Sequence, residues 1–152
     1  MQPKIISKPA FTVAGLRILT KPMTPEIPNL WQQFAPRIDE VAAIAEPYVS
    51  YGLMSYDQER NALDYMAGVS VTSTADIPSG MTTWEIAPAT YAVFEATLAT
   101  IGEAFGYVYD TWLPTADYQH AAAPYFERYG EEFDPSIPTS TLEIYIPVEK
   151  KA

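Results

Sequence analysis

Leu142-Glu-Ile-Tyr-Ile-Pro-Val148 alternates strictly: Leu142, Ile144, Ile146 and Val148 fall on one side, Glu143 and Tyr145 on the other. A period of two rich in branched side chains predicts a strand with one face in the core. Leu63-Asp-Tyr-Met-Ala-Gly-Val69 matches it 79 residues upstream, and Phe11-Thr-Val13 matches Tyr91-Ala-Val93 at a distance of 80. Inside each half a helical stretch and then another strand lie between these matches. The reading is an internal duplication of a β-α-β-β unit, over about 9–74 and 82–149, within one domain spanning 1–152.

Outward from these runs, Phe11–Thr20 alternates as a strand until Lys-Pro-Met-Thr-Pro-Glu-Ile-Pro28 breaks it. Pro28 suits the first turn of a helix. Leu30, Trp31, Phe34, Ile38, Val41, Ala42 and Ala45 then follow at helical spacing, a stripe of roughly five turns. Pro36 stands inside that stripe and must kink or divide it, since it lacks a donor and clashes with the preceding turn. Strands are expected at 48–56 and 63–74 around the polar hairpin Asp57-Gln-Glu-Arg-Asn61. In the second half strands are expected at 81–86 and 90–97. A helical stripe of Ile101, Phe105, Val108, Tyr109, Trp112 and Leu113 follows, then a polar loop and strands at 124–129 and 142–148. The fold class is therefore α+β with an antiparallel sheet.

Composition excludes more than it identifies. The 152 residues carry 9 Lys+Arg and 19 Asp+Glu, a net charge of −10. Phosphate neutralisation needs the opposite sign, so neither nucleic acid nor an anionic membrane is expected as a direct partner. Cysteine is absent, which excludes disulfides and thiolate chemistry. With one histidine, His120 in a polar loop and read as a surface residue, neither a metal site nor a Ser-His-Asp triad is expected. No glycine-rich phosphate loop occurs and no cofactor is implied. The start lacks a signal-peptide pattern and no apolar run approaches 18 residues, so a cytoplasmic protein is expected.

Chemistry concentrates in Tyr125-Phe-Glu-Arg-Tyr129, where alternation places Tyr125, Glu127 and Tyr129 on one face. A carboxylate between two aromatic rings suits a cation, through opposite charge and the negative faces of the rings. The competing reading is a half-exposed strand whose Glu127 is solvated, or paired with Arg128 or a tyrosine hydroxyl. Tyr51, Met66, Trp84, Tyr107 and Trp112 are candidate pocket walls, because pockets are mainly apolar and methionine adapts its shape. Tyr145 shares its face with Glu143, which leaves both the cleft and solvent open to it. Trp31 is assigned to the core.

The chain resembles the GyrI-like small-molecule-binding domain, also found as the effector-binding half of AraC- and MerR-type multidrug regulators. The resemblance rests on Pro9-Ala-Phe-Thr-Val-Ala-Gly15, Leu30-Trp-Gln-Gln-Phe-Ala-Pro-Arg-Ile38, Tyr51-Gly-Leu-Met54, Asp64-Tyr-Met-Ala-Gly-Val69 and Tyr91-Ala-Val-Phe94. Trp112-Leu-Pro114, Phe126-Glu-Arg-Tyr129 and the Leu142–Val148 run complete it. It implies two β-α-β-β modules about a pseudo-twofold axis with a ligand cleft between them. It further implies lipophilic, aromatic, often cationic ligands, with Glu127 at the position of a buried counter-charge. Ala96-Thr-Leu-Ala99 departs from the glycine-containing turn of many relatives, so ligand preference does not transfer. The expectation is a stand-alone module that senses or sequesters hydrophobic cations. Any transcriptional role would run through a separate DNA-binding regulator or other protein partner, since no helix-turn-helix fits. Two alternatives follow from the same resemblance: a hydrolase of cyclopropane-type electrophiles using Glu127, and a protein-interaction module of the gyrase-protecting kind.

Overall fold

A computed structural model describes residues 2–152. In chain order the elements are β1 (Lys4–Lys8), β2 (Phe11–Thr20), α1 (Glu26–Phe34), a 3₁₀ segment (Ala35–Glu40), β3 (Ser50–Asp57) and β4 (Ala62–Val71). There follow β5 (Thr82–Ile86), β6 (Ala89–Thr97), α2 (Ile101–Tyr107), a π-helical turn (Val108–Trp112) and α3 (Leu113–Thr115). The chain ends with β7 (Tyr118–His120), β8 (Tyr125–Tyr129) and β9 (Thr141–Lys150). All strand pairings are antiparallel, and the order is β1-β6-β9-β8-β3-β4-β2-β5, with β7 joined to β9.

That order reads the same when the halves are exchanged. β2, α1, β3 and β4 form one unit; β6, α2, β8 and β9 form the other, and β3 meets β8 at the centre. The strands ahead of each unit swap sides: β1 pairs with β6, and β5 with β2. Lys8 lies opposite Ala89 and Phe11 opposite Ile86, so Pro9-Ala10 and Ala87-Pro88 interrupt both ladders at one level. Proline has no N–H to give a ladder, which accounts for the break.

Both faces of this sheet are buried. On one, Leu30 and Phe34 of α1 cover Ala14, Tyr65, Ala67 and Val69. On the same face Ala104 and Val108 cover Ala92, Phe94, Leu142, Ile144 and Ile146. The other face carries an aromatic core of its own, including Tyr51, Leu53, Met66, Tyr91, Phe126 and Tyr145. Each large apolar side chain removed from water contributes roughly 1.5–3 kcal/mol.

Several expectations are corrected. Pro36 divides the first stripe: α1 stops at Phe34, a 3₁₀ segment follows, and Val41, Ala42 and Ala45 are not helical. That segment instead borders β4, with the Ala45 N–H donating to the Ser70 carbonyl (2.8 Å) and the Thr72 N–H to the Ala43 carbonyl (2.9 Å). Strands β1 and β7 were not expected, and both owe their existence to distant partners, β6 and β9.

Candidate functional site

The seam between the two units runs along β3 and β8, on the helix-covered face. There Gly52 lies directly opposite Glu127, Met54 opposite Tyr125 and Ser50 opposite Tyr129. A side chain at position 52 would meet the Tyr65 hydroxyl and come within 2.6 Å of Glu127 Oε1. Glycine at this one place lets a carboxylate lie across the neighbouring strand and reach β4.

Glu127 is buried, at 8% exposure. Its Oε1 accepts hydrogen bonds from the Tyr65 hydroxyl (2.9 Å) and the Tyr129 hydroxyl (3.0 Å). The Trp31 indole N–H in turn donates to the Tyr65 oxygen at 2.8 Å. Trp31 also lies edge-on to Tyr129, with centroids 5.3 Å apart. Oε2 accepts no hydrogen bond and is not among the fully enclosed unpartnered atoms, so it keeps some contact with solvent. Desolvation dominates the electrostatics and pushes the carboxyl from 4.5 to about 7, with the two phenols opposing the rise. The phenols move up as well. Burial first, and then the nearby carboxylate, raise Tyr65 and Tyr129 well above 10 and Tyr125 to about 12.

Among the described residues no cation reaches Glu127. Arg128, the next residue, points to the opposite face, where it pairs with Glu46 (3.5 Å) and Glu143 (3.3 Å). Glu127 is thus paired with tyrosine hydroxyls and not with Arg128.

The sequence-based walls separate into groups. Tyr125, Glu127 and Tyr129 share the seam. Tyr51, Met66 and Tyr145 belong to the aromatic core on the far face, with Trp84 packed against it, so the thickness of the sheet lies between them and Glu127. Tyr51 donates its hydroxyl to Glu46 at 2.7 Å, and Trp84 stacks under the Arg17 guanidinium at 3.9 Å. Trp112 and Tyr107 pack edge-on to Phe94, beneath the second helical segment. Trp31, assigned to the core from its helical stripe, is half-buried and joins the site through its N–H. Tyr65 and Phe105 also belong to the seam and were not foreseen. Alternation with Leu63, Ala67 and Val69 marks the face of Tyr65 but not its reach.

A surface pocket of about 690 Å³ opens elsewhere, against Glu46, Glu95, Arg128 and Glu143 among others. Its one arginine is already spoken for by carboxylates. The convergent, uncompensated chemistry is at Glu127, where a buried acid can either pair with an incoming cation or exchange a proton near neutral pH.

The sequence profile of the GyrI-like small molecule binding domain matches residues 1–149. The transcriptional regulator BrlR of Pseudomonas aeruginosa is 32% identical over 151 residues, covering 97% of this chain. The chain spans 56% of that relative's length. Among solved structures, SAV2435 bound to tetraphenylphosphonium superposes with a TM-score of 0.79 at 20% identity, over 98% of this chain and 94% of that one. The EcmrR C-terminal domain gives 0.74 at 15% identity, over 99% and 98%. At these identities the two structural likenesses speak to the fold.

Proposed function

The chain belongs to the GyrI-like small-molecule-binding domain family, and from that premise we propose that it captures lipophilic cations with Glu127 as their counter-charge. One observation carries the reading: a buried carboxylate supported by two phenols and without a cation among the described residues. Burying an unpaired charge is costly, and a ligand that brings the missing cation relieves that cost. Trp31 and Tyr129 supply aromatic rings, over whose faces a desolvated cation gains about 2 kcal/mol or more. The phosphonium bound by the structural neighbour SAV2435 is of this chemical class. Regulatory output, through a further domain or a separate DNA-binding protein, is part of the same proposal.

Tryptophan-quench titration tests it, because the Trp31 N–H sits in the Glu127 network. Tetraphenylphosphonium is expected to bind in the micromolar range, better than a neutral isostere. Glu127→Gln is expected to weaken it tenfold or more, about 1.4 kcal/mol. Coincident curves for cation, isostere and variant would overturn the counter-charge.

A second reading is general acid–base use of Glu127 on an electrophilic substrate. It is favoured by the free Oε2 and a carboxyl titrating near 7. Turnover that disappears in Glu127→Gln while binding of substrate persists is the signature it requires.

A further inference from the structure

We infer that the cleft is bipartite: beyond Glu127, on the side away from Trp31, Phe105, Tyr109, His120 and Tyr125 form a second subsite that takes an aromatic group bearing a hydrogen-bonding substituent. The inference rests on the reading of Glu127 as the site of the ligand's cation.

Tyr129 and Tyr125 stand two residues to either side of Glu127, which places them roughly 6–7 Å along the strand in opposite directions. Each anchors a different aromatic group. Around Tyr129 are Trp31 and Phe133, at 5.3 and 5.0 Å between centroids. Around Tyr125 are Phe105 and His120, both edge-on at 6.0 Å. The His120 ring in turn stacks on Tyr109 at 5.8 Å and 19°. His120 reaches this place because β7 sets it opposite Val148, whose side chain packs in the cluster beneath α2. Tyr109 reaches it on the π-helical turn, a distortion that often marks functional positions.

The polar tips distinguish this second group. His120 Nδ1 lies 2.7 Å from the Ala121 carbonyl, so it must carry the hydrogen, and in the neutral ring Nε2 presents a lone pair. That nitrogen and the hydroxyls of Tyr109 and Tyr125 have no partner among the described residues, and none is fully enclosed. The Trp31 side has no such surplus: its indole N–H and both tyrosine hydroxyls are committed to the Glu127 chain. One side therefore suits a bare hydrocarbon ring, the other a ring carrying a hydroxyl or similar group.

There is room for it. Gly102, Phe105, Gly106 and Tyr109 share a face of the second helical segment by their spacing. A Cβ on Gly106 would meet nothing within 4 Å, and one on Gly102 meets only Met23 Cε at 3.9 Å.

Benzyltriphenylphosphonium and its 3-hydroxybenzyl counterpart are the probes. The hydroxylated compound is expected to bind wild type about three- to tenfold more tightly, the gain of one net hydrogen bond. A Tyr109→Phe/His120→Phe double variant, which keeps both rings and removes their polar atoms, should lose that preference. As the chain has a single histidine, its ring Hε1 proton gives one assignable NMR signal, which should move on saturation with the hydroxylated probe. An unmoved signal, no preference in wild type, or a preference retained in the double variant each overturns the second subsite. If both phosphoniums bind in a Glu127-dependent way without hydroxyl preference, only this inference falls. If neither binds, the counter-charge reading falls and takes this one with it.

Discussion

The two sides of the β3–β8 seam are built by equivalent elements and finished differently. On the first, α1 ends at Phe34, two residues before Pro36, and its Trp31 closes a chain of hydrogen bonds through Tyr65 to Glu127. On the second, α2 continues through a π-helical turn, and the Tyr109 and Tyr125 hydroxyls and His120 Nε2 have no partner among the described residues. The difference shows what a duplicated β-α-β-β unit permits. One copy is committed to holding a buried acid in place, which leaves the other free to differ in what it offers a ligand.

The sharpest way to probe the committed side is to remove the acid. Glu127 is raised from 4.5 to about 7. Between those values the folded protein holds a proton that the unfolded chain has released. Stability must therefore fall as pH rises through this window, with the full penalty present above about 7. The shift corresponds to about 3 kcal/mol. Glu127→Gln, whose amide oxygen still accepts from both phenols, should stabilise the ligand-free protein by about that much at pH 8 and by little at pH 4. Urea denaturation across this range checks it; equal pH profiles for the two proteins would remove the buried charge from the account.

A matched pair of tyrosines separates the two sides directly. Tyr65→Phe deletes a donor to Glu127 and the acceptor of the half-buried Trp31 indole N–H. The expected loss is about 2 kcal/mol, at the scale of hydrogen bonds to charged groups. Tyr125→Phe removes a hydroxyl with no partner in the structure and should change stability by less than about 0.5 kcal/mol. Similar costs for the two would erase the distinction between the sides. Thermal or urea melts at pH 7.5 are sufficient.

The sequence carries these two sides unequally. Alternation in Tyr125-Phe-Glu-Arg-Tyr129 sets Glu127 and its flanking tyrosines on one face, and in the structure they share it. Alternation fails for Tyr51, Met66 and Tyr145 because both faces of the sheet are buried, so the contrast between apolar and polar positions no longer says which face meets the cleft. A helical stripe likewise cannot tell the core from its rim, which is how Trp31 was misassigned. His120 lay in a stretch with no periodic signal, and only its pairing opposite Val148 turns that stretch into a strand. The duplication is legible in faces but not in register. Thr12 faces Val71, and offsets of 80 and 79 would then set Ala92 against Lys150, whereas Ala92 faces Ile146.

The smallest expected effect bears on the open side, and it pits stability against binding. Glycine within a helix costs about 1 kcal/mol relative to alanine, and Gly106 sits in α2 where an added methyl meets nothing. Gly106→Ala should therefore raise the stability of the empty protein by about 1 kcal/mol. If the space beside Gly106 is where the second aromatic group of a ligand lies, the same methyl narrows it. Affinity for the hydroxybenzyl phosphonium should then fall several-fold while its dependence on Glu127 persists. A variant that gains stability and loses no affinity would place the second arm of the ligand elsewhere. One that loses affinity for every cation alike would mean that the two sides form a single undivided pocket.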